Sequence, residues 1–224
     1  MVRRTKTDAL ATRNSLLDAA EHLFQARGVS RTSLNDIAVA AGTTRGAIYW
    51  HFKDKADLFN AMMERVTLPM EEALHQAGSQ EDGDPIAHLR AAMLHALHKT
   101  ATHEQTRRVF EVATHKVEYV DELSAVQARH LAVRNECLAQ TMHGLKQAVR
   151  RRGAVLPIPV AAAAMGLHVM VDGLIQNWLL DPLAFDLQKV GRQTIDTYLA
   201  GLGLAPQPAA AAPARRPLAA VAGQ

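Results

Sequence analysis

Thr44-Arg45-Gly46-Ala47-Ile48-Tyr49-Trp50-His51-Phe52-Lys53-Asp54-Lys55 is the stretch on which the fold turns. It follows Gly42, which is free to take a positive φ, and Thr43 or Thr44 can cap a helix that starts just beyond. Only Ala47 and Ile48 supply an inward apolar face, which leaves Arg45, Gly46 and Tyr49 at the front. Arg45 can give paired hydrogen bonds to a guanine edge, Gly46 lets backbone approach, and Tyr49 and His51 can donate to phosphates. The same residues also suit a solvated helix in a small bundle, because short glycine-turned helix pairs occur in proteins that never meet DNA. Trp50 and Phe52 read as packing residues.

Upstream, Ser33-Leu34-Asn35-Asp36 has capping-box character, and Leu34, Ile37, Ala38 and Ala41 recur at helical spacing. A longer helix precedes it from about Asp8 to Arg27; its stripe of Leu16, Leu17, Ala20, Leu23 and Phe24 ends at Gly28, a natural C-terminal stop. Helix, glycine-containing turn, helix is the helix-turn-helix pattern. Charge agrees with it. The chain carries 25 Lys and Arg against 22 Asp and Glu, yet residues 1–55 alone hold nine basic and five acidic residues. A positive field gathered at one end suits a phosphate-binding module joined to a neutral domain.

The 224 residues are 48% hydrophobic with only 4% aromatics, and helical periodicity recurs almost everywhere. The expected fold class is all-α: an N-terminal three-helix helix-turn-helix domain followed by a helical bundle. One cysteine, Cys137, permits no internal disulfide and points to a reducing compartment, the cytoplasm. Gly153 to Val171 carries no charged residue, but Pro157, Pro159, His168, Asp172, Gln176 and Asn177 argue against a membrane span. His95 and His98 stand one turn apart without a third ligand at a defined spacing, so no metal site is assigned. No P-loop, dinucleotide glycine fingerprint or Gly-x-Ser-x-Gly elbow is present, so neither an enzyme nor a cofactor is expected.

The stretch from Thr44 to Lys55 resembles the recognition helix and following turn of the TetR family of bacterial regulators, and Gly28-Val29-Ser30-Arg31-Thr32-Ser33-Leu34-Asn35-Asp36-Ile37-Ala38 is similar to the segment that precedes it there. The resemblance implies a homodimer on double-stranded operator DNA, two recognition helices entering successive major grooves of a pseudo-palindrome. It places Thr32 and Ser33 on phosphate, Arg45 and Gly46 at the bases, and Tyr49, His51 and Lys55 on the backbone, with Thr44 also among the DNA-binding residues. Asp54 would begin a fourth helix whose free amides hold a phosphate beside the Lys55 ammonium. Arg3, Arg4 and Lys6 are either an arm reaching the minor groove or an unstructured start.

The chain then divides into residues 1–55, a helical ligand-binding and dimerisation domain at 56–204, and an Ala/Pro-rich tail at 205–224 expected to be disordered. A fourth helix is expected from about Asp54 to Ala77, kinked near Pro69, then a polar loop from Gly78 to Pro85. Further helices are expected at about 85–102, 104–115, 119–151, 158–180 and 186–203. The one at 158–180 is apolar around its circumference and so expected to be buried on several sides. Ala162, Gly166 and Gly173 form a small-residue strip for close approach of another helix, and His168, Asp172 and Gln176 form a polar strip able to line a cavity. Asp172 either pairs with another helix or meets a ligand, since burial alone costs several kcal/mol.

Val171-Asp172-Gly173-Leu174-Ile175, Trp178-Leu179-Leu180-Asp181-Pro182, Arg107-Arg108, His115-Lys116 and the opening Met1-Val2-Arg3-Arg4-Thr5-Lys6 resemble the AcrR-type repressors of multidrug efflux pumps. That subgroup implies an apolar effector pocket, dimerisation through the last two long helices, and release from DNA by a small hydrophobic or aromatic compound. Candidate pocket residues are Met93, Phe110, Thr114, Cys137, His168, Val171, Asp172 and Gln176; for Met93 and Phe110 plain core packing is an equal alternative, and Cys137 reads as a small buried hydrophobe. A regulator answering a metabolite or lipid is the alternative function.

Overall fold

The structure is a computed structural model, and it describes residues 6–79, 83–118 and 121–205. Arg3 and Arg4 therefore lie outside the described residues, as does the tail beyond Ala205. The described residues are helical throughout, without a strand: α1 (Lys6–Arg27), α2 (Leu34–Ala40), α3 (Arg45–His51), α4 (Lys55–Ser79), α5 (Pro85–Thr102), α6 (Glu104–His115), a single 3-10 turn (Asp121–Leu123), α7 (Ser124–Arg152), α8 (Val160–Leu180) and α9 (Leu187–Gly201).

Local signals set the first three helices. The Gly28 amide closes α1 on the Phe24 carbonyl at 2.8 Å with φ +82°, a conformation only glycine takes without strain. Ser33 and Asp36 form the expected reciprocal capping box on α2: the Ser33 hydroxyl accepts from the Asp36 amide, and Asp36 accepts from the Ser33 amide. The Asp36 carboxyl is held below its ordinary pKa, first by these hydrogen bonds with Ser33. Gly42 turns the chain at φ +65° into α3, capped by Thr44.

Leu16, Leu17, Phe24, Ile37, Ile48 and Phe52 then close a core that Phe59 and Met62 of α4, Val109 and Val112 of α6 and Val126 of α7 complete. Phe24 and Phe59 meet with ring centroids 6.1 Å apart. A buried side chain of this size contributes about 1.5–3 kcal/mol. The N-terminal core thus continues past residue 55 into α4, α6 and α7. A second core gathers Leu89, Met93, Leu97, Leu145, Leu167, Trp178 and Ile195, and Phe110 packs against both.

Where α1, α4 and α6 meet, the two parts share a buried charge. Glu21 of α1 is 1% exposed and is bound by Arg65 of α4 and by Gln105 of α6, at 3.1 Å, with the Arg108 guanidinium at 3.6 Å. A carboxylate this deep persists only because cations and donors surround it.

Several expectations change. Helix α4 carries Pro69, exposed, in its interior as expected, but it runs past Ala77 to take in Gly78 and Ser79, assigned above to the loop. Helix α7 starts at Ser124, not 119, and α8 starts at Val160 with Pro159 at its N-cap, because a proline holds the residue before it out of helical geometry. Helix α8 is not buried on several sides within the chain: Met165 and Val169 are 42% and 57% exposed. No described helix is long and apolar enough to cross a membrane.

Candidate DNA-binding face and effector region

Helix α3 is fastened chiefly by one residue. Ile48 is its only fully buried side chain, Ala47 and His51 are half-buried, and Arg45, Gly46, Tyr49 and Trp50 are exposed. Thr44 caps it by accepting from the Ala47 amide at 3.2 Å, which commits that hydroxyl within the helix and aims the first turn outward. Arg45, Gly46 and Tyr49 are exposed as expected, and the Arg45 guanidinium lies 5.8 Å from the Tyr49 ring centroid, a cation–π contact that restricts the arginine before any DNA arrives. Trp50 does not pack the domain: it is 73% exposed and touches the His51 ring edge-on at 4.6 Å. Phe52 does pack, under the Arg13 guanidinium at 5.1 Å. His51 is half-buried, and Lys6 is exposed at the start of α1.

Two expected phosphate contacts are held internally. The Thr32 side chain is buried and donates to the Gly28 carbonyl at 2.8 Å. Lys55 is 8% exposed; its ammonium donates to the Val29 carbonyl at 3.3 Å and lies 3.4 Å from Glu122. The start of α4 is also partly satisfied from within, since Asp54 accepts from the Asp57 amide at 2.8 Å and Asp57 accepts from the Lys53 amide at 2.9 Å. Ser33, Tyr49, Lys53 and Lys55 line one groove of about 440 Å³ beside α3, together with Arg31 and Glu122. Sequence reading left out Arg31, Lys53 and Glu122; Lys53 stood inside the decisive stretch, whereas nothing local ties Glu122 to it.

The expected effector residues do not converge. Cys137 lines a cleft of about 280 Å³ between α4 and α7, with Leu68, Leu74, Val133, His75, Glu71 and Glu136 around it. Burial, then the charges of Glu71 and Glu136, push its thiol up to about 11, so it stays protonated at neutral pH. Met93 is buried in the second core, and Phe110, Thr114 and Val171 are half-buried. The polar strip of α8 splits: His168 is half-buried, and that burial pulls its pKa below the ordinary value against the raising charge of Asp172. Asp172 and Gln176 are exposed and paired with each other at 2.6 Å, so they face solvent in the chain, not a cavity.

The small-residue strip divides as well. A Cβ on Gly166 would overlap the Tyr198 ring, whose hydroxyl donates to the Ala163 carbonyl at 3.3 Å; this glycine admits the chain's own α9. Ala162 is exposed, and a Cβ on Gly173 would meet open space.

Residues 16–62 match the sequence family described as "Bacterial regulatory proteins, tetR family", and residues 84–203 match "MAATS-type transcriptional repressor, C-terminal region". The chain belongs to the TetR family. Among TetR-family relatives, it is 40% identical over 202 residues to the HTH-type transcriptional regulator AcrR of Shigella flexneri, covering 89% of this chain and 93% of that one. In three dimensions it is similar to NalD, the secondary repressor of the MexAB-OprM multidrug efflux pump in Pseudomonas aeruginosa, with TM-score 0.81 and 36% identity over 87% of this chain and 98% of the other. It is also similar to SmeT of Stenotrophomonas maltophilia in complex with triclosan, with TM-score 0.76 and 31% identity over 88% and 98% of the two chains. This TetR chain is therefore a non-enzymatic, DNA-binding transcriptional repressor of the MAATS type, related to the repressors of multidrug efflux pumps.

Proposed function

We propose that this repressor binds a pseudo-palindromic operator as a homodimer, controls a multidrug efflux operon, and is released by a small hydrophobic or aromatic compound. The observation that carries DNA binding is the front of α3, where Arg45, Gly46 and Tyr49 stand exposed on a helix whose one fully buried side chain is Ile48. Arg45 and Gly46 read base edges, and Ser33, Tyr49, His51 and Lys6 hold the phosphate backbone. Arg3 and Arg4, the other basic residues expected in this arm, lie outside the described residues.

Dimerisation is assigned to the outer faces of α8 and α9, a reading supported by Ala162, Met165, Val169 and Gly173, which are unburied or open there. The effector site is assigned to the C-terminal domain at the cleft that Cys137 lines between α4 and α7; Met93, Phe110, Thr114, His168 and Val171, also expected as effector residues, are not among those that line it. Apolar walls and a few polar groups are what an aromatic compound requires. The cleft beside Cys137 lies on α4, the helix that joins the two parts, so a ligand wedged against α7 would tilt α4 and change the separation of the two α3 helices.

Fluorescence anisotropy on duplex DNA from the region upstream of the chain's own reading frame tests this. Tight binding is expected, weakened at least tenfold by members of a panel of antibiotics, plant phenolics and triclosan. Tight binding indifferent to the whole panel would overturn the drug-effector reading while leaving the TetR assignment in place.

A further inference from the structure

The groove beside α3 is not built by the helix-turn-helix alone. Ser33, Tyr49 and Lys53 belong to the N-terminal unit, but Glu122 enters from the single-turn helix that precedes α7. Its carboxylate is 60% exposed, yet the ammonium it meets, that of Lys55, is 8% exposed. A lysine ammonium has three donors and no acceptor. One of these goes to the Val29 carbonyl, at 3.3 Å, and Glu122 stands 3.4 Å away on the side that shares the groove.

We propose that Glu122 competes with an operator phosphate for the Lys55 ammonium, so that the C-terminal domain sets the strength of DNA binding from outside the helix-turn-helix. Carboxylate and phosphate oxygens are both anionic acceptors, and one ammonium serves whichever is nearer. An ion pair with one exposed partner is weak enough to exchange, whereas Lys55 stays anchored by Val29 in either case. While Glu122 holds its position it also places a negative charge in a groove that a polyanion must enter. Glu122 is two residues from the first residue of α7, and α7 forms the Cys137 cleft with α4. A shift of the start of α7 therefore moves Glu122 toward Lys55 or away from it. Effector control through this carboxylate presupposes the drug-released repressor proposed above, whereas the competition at Lys55 requires only DNA binding.

The experiment uses the full chain and a duplex that the unmodified protein has selected from a random-sequence pool, with affinity measured across a range of KCl concentrations. Glu122→Gln should raise affinity about two- to fivefold per protomer, the strength of a single exposed ion pair. The slope of log affinity on log salt should steepen by about one per protomer as Lys55 takes up a phosphate. Because Glu122 is largely exposed, the variant should keep the helical circular dichroism and melting profile of the parent. In a Lys55→Met background the same change at Glu122 should add nothing. A Glu122→Gln protein that binds like the parent overturns the proposal. So does a gain that survives in the Lys55→Met background, because it would then come from removing negative charge in general and not from freeing this ammonium.

Discussion

Helices α3 and α8 both leave large side chains in water, but they do so with different chemistry. On α3 the exposed residues are Arg45, Tyr49 and Trp50, each carrying an N–H or O–H at the end of a rigid or cationic side chain. On α8 the exposed large hydrophobic side chains are Met165, Val169 and Leu180, which have no hydrogen-bond donor and stand among the exposed polar residues Asp172, Gln176 and Asn177. A surface of donors on a barely anchored seven-residue helix suits a groove lined by acceptors. Aliphatic side chains along one side of a 21-residue helix suit another apolar surface, because nothing else stabilises them. The difference is the one that the proposed DNA-binding and dimerisation surfaces require.

Placing a charge in the α8 face breaks the comparison hardest. Val169→Asp should convert the proposed dimer to monomer in sedimentation velocity while leaving the fold intact, since Val169 is 57% exposed within the chain. Operator affinity should then fall by 10²-fold or more, because two linked recognition helices gain roughly that much over one. A variant that remains dimeric would move the interface off α8 and leave its aliphatic surface unexplained.

The next test sharpens the other side. Arg45→Ala removes the guanidinium that rests on Tyr49, and one bidentate contact to a base contributes about 1–3 kcal/mol of discrimination. The expected result is a loss of about tenfold or more in operator affinity by anisotropy, with a smaller loss on random DNA and no change in dimer mass. Equal losses on both DNAs would reassign Arg45 from base reading to phosphate holding.

These contrasts also show what was readable from residues alone. The capping box at Ser33 and Asp36, the stop at Gly28 and the turn at Gly42 were legible because each is a local signal spanning four residues or fewer. Helix α5, with Asp84 as cap and Pro85 as first residue, was legible for the same reason. Thr32 and Lys55 were assigned to phosphate through the resemblance to the TetR family, yet the Gly28 and Val29 carbonyls hold them in this chain; those partners are neighbours in space that no spacing rule reveals. The polar strip of α8 was visible as a strip, but its direction was not. An apolar circumference was taken as burial within the chain, and on the dimer proposed above a second copy would supply what the chain's own helices leave open. The effector residues came from residue type, the α8 strip and the resemblance to AcrR-type repressors, and they lie scattered between a core, a cleft and a surface.

Trp50 provides the smallest effect and the finest test of the comparison. It stands two residues from Phe52, and sequence reading placed both aromatics in the core. Phe52 is buried under Arg13, whereas Trp50 is 73% exposed and meets the His51 ring edge-on. Removing a side chain that buries so little should change stability by under about 0.5 kcal/mol, the range of surface substitutions away from special features. The midpoint of chemical denaturation of Trp50→Ala should therefore match the parent, while Phe52→Ala falls well below it. If Trp50→Ala is instead strongly destabilised, the outer surface of α3 contributes to the core after all. Its exposed aromatics would then resemble the packing residues of any small bundle, and the distinction between the donor-bearing face of α3 and the aliphatic face of α8 would rest on Arg45 alone.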